Sequence, residues 1–230
     1  MVMIGALGIC ACQRDTATRD AARDAAAPPS AAETAPAAKA PAERPRVVAL
    51  GDSLTAGLGL TPELAWPALV QQKISAAGLD VEVVNAGVSG DTTAGGLRRL
   101  DWALDGDVKV LVLELGANDG LRGLPIDQMR DNLSQMIKMA KGRGITVLLL
   151  GMEAPPNFGP QYTREFRKAF VDLADDYDVP FIPFMLAGVA GDANLNQADG
   201  IHPNEEGTRR VADLIWQSLK PLLTRALATT

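Results

Sequence analysis

"VKVLVLELG", residues 108–116, is apolar except for a lysine near its start and a glutamate near its end. Its side chains do not alternate between apolar and polar, so a strand formed here has to be covered on both faces. Similar runs occur on either side of it: "RVVALG" (46–51), "VEVVNAG" (81–87), "ITVLLLG" (145–151) and "VPFIPFM" (179–185). Between the runs lie helical stretches near residues 63–77, 92–104, 125–142, 162–177 and 204–226. Doubly covered strands alternating with helices predict an α/β fold, three layers deep (α/β/α), with a doubly wound parallel five-stranded sheet. A strand order of 2-1-3-4-5 would make the loops after the first three strands neighbours.

Open parallel sheets bind ligands outside the carboxyl ends of their strands, and the unusual polar motifs fall there. "GDSLTAG" (51–57) follows the first run, "NAGVSGDTT" (85–93) the second and "GANDG" (116–120) the third, while "DGIHPN" (199–204) precedes the last helix. Residues 186–198 are a stretch long enough to bring the start of that helix beside the first loop.

"DGIHPN" holds the only histidine of the 230 residues. A lone histidine is more often a surface or capping residue than a catalyst, so its neighbours have to decide. Ser53, just past the first strand, is the leading nucleophile, the other reading being a helix N-cap. Ser89 is a weaker rival, because "GVSGD" has Asp91 where a G-x-S-x-G elbow needs glycine. A serine hydroxyl attacks only when a base takes its proton, and that base needs an acceptor on its second ring nitrogen. His202 can be the base, and Asp199 the acceptor across a single turn. Pro203 suits the first position of the following helix, and Glu205 and Glu206 its first turn. The N–H groups of Ser53 and Gly90 and the side-chain amide of Asn118 are donors of the type an oxyanion hole requires. Asn118 also suits an Asx-turn.

With these motifs in order, the chain resembles the SGNH or GDSL-type hydrolases, with Ser53, Gly90, Asn118 and His202 at the four family positions. The resemblance spans residues 46–225 and is strongest to the bacterial thioesterase I, lysophospholipase and arylesterase branch, through "LGDSLTAGLGL", "NAGVSGDTTAGGLRRL", "ELGANDGLRGLP" and "QADGIHPNEEG". It implies a flavodoxin-like sheet, a metal-free Ser53–His202–Asp199 mechanism without cofactor, and an acyl-enzyme intermediate. The expected substrate is a small acyl ester or thioester. Gly87 departs from the pattern, since serine or alanine often stands there in relatives. Asp52 and Asp91 are expected to brace their loops, and Glu114, a charge inside an apolar strand, must be hydrogen-bonded if buried. Leu121, Leu124, Pro155, Phe158 and Tyr162 are expected to line an acyl groove or to pack the loops around it. A carbohydrate O-deacetylase on the same scaffold and a non-enzymatic surface lipoprotein are the competing readings.

The remainder of the chain is read as an N-terminal segment (1–12), a tether (13–45) and the hydrolase domain (46–230). Residues 13–45 contain no Leu, Ile, Val, Met or aromatic residue, too little apolar surface to offset ordering. "MVMIGALGICAC" is shorter than the ~20 residues of a bilayer span and resembles the end of a signal peptide; a missing basic n-region places the natural start upstream. Its Ile9-Cys10-Ala11-Cys12 resembles a lipobox, with Cys12 the lipidated residue tethering an exported bacterial protein to a membrane; a plain secretory signal is the alternative. Both cysteines lie here, so the folded part has neither a disulfide nor a thiolate metal site. One histidine and no available cysteine make a zinc site hard to build. The formal net charge of -6 argues against a nucleic-acid partner. Oligomeric state is left open.

Overall fold

A computed structural model of the chain describes residues 44–228. The expected N-terminal segment, Cys12 and nearly all of the expected tether lie outside those residues. The tether's last two residues already belong to the domain: Arg44 donates to the Val81 carbonyl and pairs with Asp80, and the Pro45 carbonyl accepts from the Glu82 N–H.

Five parallel strands form the sheet, β1 (Arg46–Gly51), β2 (Glu82–Gly87), β3 (Val108–Glu114), β4 (Thr146–Leu150) and β5 (Phe181–Ile182), in the expected order β2-β1-β3-β4-β5. β5 is cut to two residues because Pro180 and Pro183 on either side of it bring no N–H to the ladder. The helices are α1 (Ser53–Ala56), α2 (Trp66–Ala76), α3 (Thr93–Ala103), α4 (Ala117–Leu121), α5 (Ile126–Gly142), α6 (Gly159–Tyr177) and α7 (Glu205–Ala228). α2 packs on α7, while α5 packs between α3 and α6, which gives the three layers. β3 lies at the centre and is buried from Val110 to Glu114, as its unbroken apolar run requires.

Two short helices were not expected, and both sit inside the motifs. α1 begins on "DSLTA", capped by Asp52, whose carboxylate accepts from the Leu54 N–H at 3.0 Å. The cap is therefore Asp52, and Ser53 is the first helical residue. α4 begins on "AND". α7 starts at Glu205, so Pro203 is not its first residue; the Asn204 side chain caps it, accepting from the Glu206 and Gly207 N–H groups. Pro203 is instead bridged to Asn196.

Gly87 is where α1 and β2 meet. A Cβ at this position would lie 2.2 Å from the backbone nitrogen of Ala56, closer than any side chain tolerates. The departure noted at Gly87 thus coincides with backbone-to-backbone packing behind the Ser53 turn.

Candidate active site

Strand polarity brings four loops together at the carboxyl edge of the sheet. Ser53 Oγ lies 2.8 Å from His202 Nε2, and His202 Nδ1 lies 2.6 Å from Asp199 Oδ2. The other Asp199 oxygen accepts from the N–H groups of Ile201 and His202, both at 3.0 Å, a turn that Gly200 closes at φ 76°. These bonds, led by the His202 N–H, then the His202 ring and the Ile201 N–H, hold the exposed Asp199 carboxyl down to about 2. An ionised Asp199 can only accept, so the Nδ1 proton points at it and Nε2 is left to receive the Ser53 proton.

The His202 loop is fixed from behind by a residue to which the sequence reading gave no role. The Gln197 side-chain amide donates to the Leu58 carbonyl at 2.7 Å and to the Pro203 carbonyl at 2.9 Å, tying the base to the segment after α1. Gln197 N–H also donates to the His202 carbonyl. A second such residue is Arg99 of α3, which pairs with Asp91 at 2.7 Å and donates to the carbonyls of Ala86 and Gly51. It fastens the carboxyl ends of β1 and β2 to the Gly90 loop. Neither role could be read from the sequence, because the partners are backbone carbonyls set by the fold. Ser89, the rival nucleophile, is exposed and not within reach of the only imidazole.

Gly90 (φ 85°) has its carbonyl held by Arg122 Nη2 at 2.8 Å. Among the described residues neither its N–H nor that of Ser53 has an acceptor. Asn118 Nδ2 donates to Asp52 Oδ2 at 3.0 Å, which leaves its second amide hydrogen free. Asp119 is buried and takes both the N–H and the hydroxyl of Thr93, which joins α4 to the start of α3.

Glu114 is fully buried, and among the described residues no cation pairs with it. Its Oε2 accepts from the Asp52 N–H at 3.2 Å and meets the Thr55 hydroxyl at 2.8 Å, while Oε1 has no partner. Burial first, then the charge of Asp52, pushes its carboxyl well above the ordinary value. Through the Asp52 N–H and the Thr55 hydroxyl it supports the Ser53 turn.

The triad opens into a cavity of about 220 Å³ whose apolar wall comes from Leu54, Leu121, Met152, Ala154, Leu186 and Ile201, with Pro155, Phe184 and Ala190 beside them. Of the expected groove residues, Leu121 and Pro155 line it and Leu124, Phe158 and Tyr162 do not. The Tyr162 hydroxyl donates to the Leu124 carbonyl at 2.9 Å, and its ring packs between Phe158 and Phe166. These three residues pack the loops against one another instead of facing the cavity. Among the described residues no cluster of His, Cys, Asp and Glu could hold a metal ion, and no helix is long and apolar enough to cross a membrane.

A hydrogen-bonded serine–histidine–aspartate chain at the carboxyl edge of a doubly wound sheet defines the class: an α/β/α serine hydrolase. Residues 49–210 match the GDSL-like Lipase/Acylhydrolase family, and the chain belongs to it. It is 44% identical to Esterase TesA of Pseudomonas aeruginosa over 178 residues, covering 77% of this chain and 89% of that protein. Against Thioesterase 1/protease 1/lysophospholipase L1 of Escherichia coli the identity is 37%, over 77% of this chain and 84% of the other. A crystal structure of TesA superposes with a TM-score of 0.74 at 43% identity, covering 77% of this chain and 99% of that one. The chain is a carboxylic ester hydrolase.

Proposed function

We propose that the chain is an exported esterase and thioesterase for acyl groups of modest length, lysophospholipids included, in which Ser53 attacks, His202 moves the proton and Asp199 orients it. The observation that carries this reading is the continuous hydrogen-bonded chain from Ser53 Oγ to Asp199, opening onto a largely apolar cavity. As Oγ bonds to the acyl carbon, its proton passes to His202 Nε2. The carbonyl oxygen becomes an oxyanion that receives the Ser53 and Gly90 N–H groups and the free Asn118 amide hydrogen. The imidazolium then protonates the departing alcohol or thiol, leaving acyl-Ser53. Water repeats the sequence and releases the acid.

The cavity wall favours an acyl chain over an acetyl group on a sugar, because aliphatic side chains make up most of it and Phe184 is the one aromatic residue among those that line it. Export would follow from the signal-like segment, and attachment to a membrane from lipidation of Cys12. The test is a panel of nitrophenyl esters, acyl thioesters, lysophospholipids and acetylated sugars, with Ser53→Ala as blank and a serine-directed phosphonate as label. Attachment of the phosphonate to Ser89, or turnover of acetylated sugars alone, would overturn the reading.

A further inference from the structure

We propose that Asp52 is a positioning residue of the hydrolysis: its carboxylate decides which atom of the Asn118 carboxamide faces the oxyanion. The inference rests on the reading of Asn118 as an oxyanion donor. A carboxamide turned over by half a revolution fills the same volume but presents a carbonyl oxygen in place of NH₂. In the site, that exchange would set a lone pair against the developing negative charge. Something has to choose between the two orientations.

Asp52 is placed to do so. It is buried, and its two oxygens are divided between two tasks: Oδ1 caps α1 through the Leu54 N–H at 3.0 Å, and Oδ2 accepts from Asn118 Nδ2 at 3.0 Å. An ionised carboxylate has no hydrogen to offer, so only the orientation with NH₂ toward Asp52 is bonded. The same nitrogen then carries the second hydrogen that remains for substrate. Glu114 holds the Asp52 backbone N–H from β3 at 3.2 Å. Gly51 makes this approach possible, since a Cβ there would lie 2.5 Å from Glu114 Oε2. The titratable groups facing the Asp52 carboxyl are Glu114 from β3, Asp119 from α4 and His202 from the loop before α7. Burial pushes Asp52 up to about 6, so at pH 8 it is ionised and the selection operates.

The test uses the full chain at pH 8 with a neutral nitrophenyl ester and four variants: Asp52→Asn, Asp52→Ser, Asn118→Ala and the double variant Asp52→Asn/Asn118→Ala. An asparagine at 52 keeps the cap through its oxygen and turns NH₂ toward Asn118, which stabilises the wrong orientation. A serine keeps a cap but does not reach Asn118, so it selects neither. The expected order of kcat is therefore wild type, then Asp52→Ser within about tenfold, then Asp52→Asn approaching the roughly 10²- to 10³-fold loss of Asn118→Ala, with KM little changed. In the Asn118→Ala background, Asp52→Asn should change kcat less than about threefold. A residue that merely supports the turn would give the opposite order, the isosteric asparagine being the milder change. Asp52→Asn as active as wild type, or costing as much without Asn118 as with it, overturns the proposal. A fully active Asn118→Ala would instead overturn the oxyanion reading on which it stands.

Discussion

The cavity beside Ser53 sets a limit on acyl length. Its volume is about 220 Å³, and at about 30 Å³ for each methylene-sized group, the share of one water in the liquid, it takes about seven such groups. Each methylene moved from water to an apolar wall is worth about 0.8 kcal/mol, close to a fourfold gain in kcat/KM. The rate constant should climb by that factor per carbon from acetate upward and level off near eight acyl carbons. Ala154 is a half-buried residue of the wall. Ala154→Leu adds three carbons, removes roughly 90 Å³ and should shift the plateau about three carbons shorter. The octanoyl ester would then lose about 2.4 kcal/mol, near 60-fold, while the acetyl ester is unaffected. A series of nitrophenyl esters from acetate to dodecanoate, assayed below KM for both proteins, measures this directly. A loss of the same size at every length, or a wild-type rate that keeps rising beyond ten carbons, would refute the assignment of the acyl chain to this cavity.

Ser53→Ala should lower kcat by on the order of 10⁶-fold with an unchanged melting temperature, and adding His202→Ala should cost little more because the two act as one unit; a double variant far slower than either single variant would show independent roles. Asp199→Asn should lower kcat at pH 8 by up to about 10⁴-fold, through loss of the imidazole tautomer that frees Nε2, and retention of activity within tenfold would remove Asp199 from the triad. Glu114 gives a pH signature in stability. Its folded carboxyl holds a proton well above the ordinary 4.5, so the stabilisation from this site is complete below 4.5 and is lost as pH rises. Melting temperatures from pH 4 to 8 should therefore fall more steeply for wild type than for Glu114→Gln, and equal slopes would mean that Glu114 is ionised in the fold.

Strand number and polarity were legible because the central strands carry apolar runs that need cover on both faces, whereas the strand order followed only from the flavodoxin-like sheet that the resemblance implied. The hydrogen-bonded Ser53–His202–Asp199 chain was legible for a different reason: a single histidine leaves one imidazole to place, and Asp199 lies within one turn of it. Local chemistry misled at the start of α7, where Pro203 has the right shape for a first turn but Asn204 has the side chain that satisfies the orphan N–H groups. The groove was read only in part. Leu124, Phe158 and Tyr162 have the same composition as cavity-lining residues, and only the fold shows that Phe158 and Leu124 meet Tyr162 instead. Conversely, Met152 and Leu186 come from two separate loops, and nothing in their own neighbourhoods marks them as neighbours of Ser53. The bond between Asp52 and Asn118 was hidden in the same way, since each residue alone looks like a turn former.

The polarity of β1 has a practical side. The strand rises about 17 Å from Arg46 to Gly51, placing the entry of the described chain at one pole and Ser53 at the other. α7 returns from the His202 loop along a helix of 24 residues, about 36 Å, and ends at the pole where β1 begins. Both ends of the described domain thus lie far from the opening. A handle attached directly at either end of the described domain, such as a resin or a fused protein, would hold it by its base and leave the mouth facing outward, ready for immobilised or displayed catalysis without obstruction.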